Sequence, residues 1–120
     1  MELSSVLSVS SVATVSWQDR IMTVAEFKAT LGATQPPAGL GQPLLALWYD
    51  GRGDWSLAHE TAQEIYDATG AWIHAYLHRK EGDLDNAGYW YRRARQPASD
   101  QSLSQEWDAI ASALLSNVPH

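Results

Sequence analysis

A chain of 120 residues with six Trp and five Tyr, one Phe, no Cys and a formal charge of −6 leaves few options open. It has room for one domain around a single modest core. It can build no disulfide, thiolate nucleophile or Cys-ligated metal site, and its acidic balance argues against a general nucleic-acid binder, which needs a basic footprint. The lack of Cys fits a reducing compartment, so a cytoplasmic location is expected. Apolar runs stay well short of the ~20 residues that span a bilayer, so no membrane association is expected. Trp and Tyr join a ring to a polar handle and suit helix seams whose rims stay wet.

Residues 1–21 are rich in Ser and Val, with Val6, Val9, Val12 and Val15 spaced by three, a period that suits neither strand nor helix. Glu2 and the interrupting serines argue against a secretory signal. This stretch is expected to be a poorly ordered or loosely packed leader, with Met22 as an alternative start and the domain running over 22–120.

Thr23 with Glu26 makes a capping box at the head of a short helix, whose Val24, Phe27 and Leu31 share a face. Gly32 is expected to stop it in left-handed backbone. Pro36, Pro37 and Pro43 mark a loop leading into a new helix at about 43–51, which is apolar almost all round through Leu44, Leu45, Leu47, Trp48 and Tyr49. Gly51 and Gly53 end it, and Asp54 caps a helix at about 55–67. Thr69 and Gly70 are read as a break. Helix 71–81 follows, then Gly82 and Asp83 as stop and cap, then helix 84–95 ahead of Pro97. A second capping box, Ser102 with Gln105, opens a helix at about 102–116. Its apolar stripe is Leu103, Trp107, Ile110 and Leu114, and Glu106 is placed on the other faces.

Within this order one unit occurs twice. LLALWYDGRGDWSLAHETAQEI (44–65) falls on IHAYLHRKEGDLDNAGYWYRRA (73–94) without a gap. Gly53 and Asp54 meet Gly82 and Asp83, and Ala46 and Ala58 meet Ala75 and Ala87. Each copy reads as helix, tight corner, helix, with small residues that let two antiparallel helices approach closely. The pattern resembles shortened tetratricopeptide repeats, matched at Leu45, Ala46, Tyr49, Gly53, Asp54, Trp55 and Ala58, and again at Ala75, Gly82, Asp83, Leu84, Ala87, Tyr91 and Ala94. The run WIHAYLHRKEGDLDNAGYWY is also similar to a set of short proteins of uncharacterised function, a likeness that implies no activity. The expected fold is therefore all-α. Antiparallel helical hairpins stack in tetratricopeptide-like fashion, with units at about 43–67 and 71–96, a flanking N-terminal helix and a C-terminal capping helix.

Two functional readings follow. Helical-repeat hairpins present their first helices as a groove, here an apolar and aromatic strip of Leu44, Leu47, Trp72, Ile73 and Tyr76 with Arg79 and Lys80 at its basic end. A protein or peptide partner with an acidic tail would suit it. Self-covering by the N-terminal or terminal helix is the simpler fate of such a strip, and a homodimer through leftover apolar surface is a further option. The reading favours such a binding module over an enzyme.

The alternative starts from His74 and His78, which replace the apolar and aromatic residues of the first unit, Leu45 and Tyr49. At i and i+4 they project from one helix face, a spacing used by helical zinc sites. His59, on the preceding helix, would supply a third imidazole, and Glu60, Glu81 or Asp50 a fourth ligand or a base. Zinc or nickel would suit the set, as would acid–base chemistry by neutral rings in a partly dry seam. Hydrogen-bonded core histidines in a polar seam are the plainer expectation.

Overall fold

The computed structural model describes residues 22–116. The expected leader (1–21) lies outside the described residues. Among the described residues the chain is all-helical, with six α-helices and no strand. They are α1 (Val24–Ala29, continued by a 3-10 turn over Thr30–Gly32), α2 (Gln42–Gly51), α3 (Trp55–Gln63), α4 (Ala68–Lys80), α5 (Leu84–Ala94) and α6 (Leu103–Ser116). Among the described residues no helix is long and apolar enough to cross a membrane.

The two duplicated corners have the same construction. Gly53 and Gly82 take φ of 86° and 91°, the left-handed backbone that favours glycine. At the first, the Gly53 N–H donates to the Asp50 carbonyl and the Asp54 N–H to that of Tyr49. At the second, Gly82 donates to Arg79 and Asp83 to His78. The aspartates then cap the next helices, Asp54 accepting from the Leu57 N–H at 3.0 Å and Asp83 from that of Asn86 at 3.2 Å. Both expected capping boxes form. Thr23 and Glu26 exchange bonds of 3.0 and 2.9 Å, and Ser102 and Gln105 bonds of 3.0 and 3.1 Å.

Helices α2 and α3 form one hairpin and α4 and α5 the other, joined by packing of α3 on α4. The four seam alanines (Ala46, Ala58, Ala75, Ala87) are buried, so the backbones approach as their small side chains require. Helix α4 is central: Ala71, Ile73 through His78 are all buried. Helix α6 lies across α4, α2 and α1. It brings Trp107, Ile110, Ala111 and Leu115 onto Phe27, Leu47, Ile73, Tyr76 and Leu77 in the main core. Phe27 stacks on Trp107 with ring centroids 5.6 Å apart. The indole handles are used as the composition suggests: Trp48, Trp55, Trp72 and Trp107 each donate a cross-helix bond, to Thr30, Leu77, Glu106 and Leu47 respectively.

Three boundaries depart from the sequence reading. Gly32 sits in the 3-10 turn and the chain leaves it through extended Ala33, so no left-handed stop is used there. Helix α3 ends at Gln63, short of the expected 67. Helix α4 begins at Ala68, before the supposed break, because the Asp67 side chain accepts from the Gly70 N–H at 3.0 Å and starts the helix early. Gly70 is thus a packing residue: a Cβ there would lie 2.2 Å from the Ile65 carbonyl oxygen, which is backbone and cannot yield.

Candidate functional site

The three histidines meet. His59 comes from α3, and His74 and His78 from successive turns of α4, so the contact depends on the α3–α4 packing that joins the hairpins. Trp55 fixes that packing by donating its indole N–H to the Leu77 carbonyl at 2.8 Å. The Nε2 atoms of His59 and His74 are 2.9 Å apart, and one nitrogen from each of the three rings lies within 4.8 Å of the others. Ring centroids are 4.6 Å apart for His59 and His74, 5.1 Å for His59 and His78, and 4.9 Å for His74 and His78.

The rings are held from outside as well. The indole of Trp55 stacks on His59 at 4.8 Å, and that of Trp90, from α5, stacks on His74 at 4.0 Å with planes 8° apart. Nδ1 of His78 is 2.5 Å from Oε1 of Glu81. With Nδ1–H donating to that carboxylate, Nε2 is the nitrogen left to face the cluster as a donor to an ion. This is the outer partner that metal-bound imidazoles commonly have.

Burial pushes the His74 imidazole down to about 4, with help from neighbouring His59 and then His78. Burial also lowers His59, followed by the effect of His78, while Glu81 and Glu60 pull the other way. Cationic rings this close would repel, and the buried position offers little water to relieve them.

A pH dependence follows for the metal-free protein. Above pH 6.5 the His74 ring is neutral in both folded and unfolded chains and has no leverage on stability. Between 6.5 and about 4 the unfolded chain takes up a proton that the folded chain refuses, so stability falls as pH falls, levelling off below 4. Urea midpoints measured between pH 7 and 4 should fall more steeply for wild type than for His74→Gln. Parallel curves would show that the ring carries no such cost.

The other expected ligands are placed differently. Glu81 reaches the cluster through His78, and Glu60 is exposed on α3. Asp50 is far from it in role: buried, it accepts from the Tyr76 hydroxyl at 2.9 Å and from Lys80 Nζ at 2.9 Å. Position 76 falls on the side of α4 away from 74 and 78.

That far side is the strip expected as a groove, and helix α6 covers it. Leu47 and Tyr76 are buried at 0% and 2% exposure, which is the self-covering expected as the simpler fate and corrects the open-groove placement of these two residues. Trp72 and Arg79 donate to Glu106 at 3.2 and 2.8 Å, and Lys80 is tied to Asp50. Glu106 itself, expected on a solvated face, is 1% exposed. Both its oxygens also accept from the Tyr91 hydroxyl, at 2.8 and 2.7 Å. Burial, followed by the bonded carboxylates, pushes the hydroxyls of Tyr76 and Tyr91 well above the usual phenol range. They therefore stay protonated as donors.

One residue of the site, Trp90, escaped the sequence reading. Trp90 occupies the place held by Thr61 in the first unit, and that change of an outer position to a large ring was a usable signal. The role of Glu81 was legible only as one of three acidic options. No family model matches this chain, and neither any curated protein nor any solved structure matches it.

Proposed function

We propose that this protein binds a divalent transition metal, zinc among those its donors suit, through His59, His74 and His78. The convergence of three imidazoles from two helices carries the reading. An ion held at 2.0–2.1 Å from each nitrogen wants its tetrahedral donors about 3.3 Å apart. That spacing lies between the 2.9 Å of the His59–His74 pair and the 4.8 Å limit of the set, so modest ring movements suffice. Three imidazole nitrogens and no sulfur form a site that zinc, copper or nickel can occupy. Three protein ligands leave one tetrahedral position for water or another molecule, as in catalytic rather than purely structural zinc sites. The lowered proton affinity of His59 and His74 favours uptake, since the ion competes with fewer protons near neutral pH.

We infer that the paired hairpins are a shortened tetratricopeptide-like frame. Their role here is to hold three rings, because the surface suited to a peptide is occupied by α6. Zinc titrated calorimetrically into untagged, metal-free protein should saturate at one ion per chain. Absence of uptake at zinc concentrations well above that of the protein would sink the proposal and leave a polar histidine seam.

A further inference from the structure

A cavity of about 620 Å³ lies beside the histidine cluster, between the approach to α4 and the end of α5. Small-molecule sites have volumes of roughly 300–1,000 Å³. Ile65, Ala68, Ala71 and Trp90 are the apolar residues of its lining, and Arg93 and Arg95 the cationic ones. His74 belongs both to this lining and to the histidine cluster, so whatever fills the cavity reaches the proposed metal centre at that residue.

Among the described residues the charge at this cavity is available. Arg79 and Lys80 are taken by Glu106 and Asp50, but neither Arg93 nor Arg95 makes an ion pair among the described residues. Arg93 lies over the rings of Tyr89 and Trp90 at 5.7 and 5.4 Å and donates to the Tyr89 hydroxyl. Arg95 closes α5 in left-handed backbone, φ 59°, and is exposed. The one acidic residue of the lining, Asp67, already accepts the Gly70 N–H.

We propose that the cavity takes a small molecule with a carboxylate on an apolar, planar body. The carboxylate pairs with Arg93 and Arg95, whose forked N–H groups match its two oxygens. The body lies against Ile65, Ala71 and Trp90, and its far end meets His74. An exposed guanidinium pair alone would gain little from an anion; burial of the planar body supplies the rest. This deepens the metal reading and rests on it only for chemistry at His74, since binding itself needs the cavity alone.

Benzoate is the probe, followed by the Trp90 indole N–H signal in metal-free and zinc-treated protein. It should bind saturably in both, with benzyl alcohol weaker by roughly tenfold, the worth of a charge-assisted hydrogen bond. The double variant Arg93→Met, Arg95→Met changes two exposed positions and should keep the fold. It should lose benzoate affinity by a similar factor and keep its response to zinc. No movement of the Trp90 signal in either form, or binding that survives both replacements, overturns the cavity proposal without touching zinc uptake. Benzoate binding in a protein that takes up no zinc supports the cavity and removes the metal reading.

Discussion

Glu106→Ala is expected to lower the unfolding free energy by about 3–5 kcal/mol, the cost of breaking a buried pair from one side. Among the described residues the carboxylate is the only acceptor on α6 for three donors from two other helices: Trp72 and Arg79 of α4 and Tyr91 of α5. Its removal strands the Tyr91 hydroxyl at 3% exposure and leaves the Arg79 guanidinium, 17% exposed, with the Gln101 carbonyl as its remaining partner. It also loosens the helix that covers α4. Replacing the whole cluster together, Glu106→Leu with Arg79→Met and Tyr91→Phe, should cost far less, because no polar group is then left without its partner. Urea unfolding of the two variants separates the cases. A cost under about 1 kcal/mol for Glu106→Ala would mean that the pair is effectively solvated, as surface pairs are.

Glu106 also shows where the sequence stopped being readable. Position 106 is three after Leu103 and four before Ile110, so helical geometry alone puts it on the buried stripe. Its charge argued for the opposite face, and Trp72, Arg79 and Tyr91, distant in sequence, reverse that. The corners were legible because Gly followed by Asp is a local instruction: a left-handed residue, then a cap. Both capping boxes were legible for the same reason. Gly70 was misread because its smallness answers Ile65 across a turn and not its own backbone. The strip containing Leu47 and Tyr76 was correctly seen as apolar, but periodicity says which face is apolar and never which helix covers it. For the histidines, the i, i+4 spacing of His74 and His78 was plain, whereas the arrival of His59 depended on α3 packing beside α4. The indoles of Trp55 and Trp90, stacked on His59 and His74, add to this a support that no spacing rule encodes.

The second large effect concerns metal uptake. Zinc at a hundred times its dissociation constant should stabilise the folded chain by about 2.7 kcal/mol, because the ion binds the assembled rings and not the open chain. Loss of a ligand in His74→Ala should abolish this gain, and thermal unfolding with and without zinc reads it directly. The sharper variant is Glu81→Gln. The carboxylate touches no proposed ligand atom but bonds Nδ1 of His78, and its side chain is 39% exposed. A bond that exposed contributes little to the metal-free fold, so the variant without zinc should unfold close to wild type. Its zinc affinity should nevertheless drop about 10- to 100-fold, because an amide oxygen makes the imidazole a poorer donor and orients it less firmly. A merely structural bond between His78 and Glu81 would give the reverse pattern, with reduced stability and no dependence on the ion. The difference between wild type and Glu81→Gln with and without zinc therefore distinguishes a metal centre, with its supporting carboxylate, from a satisfied polar seam.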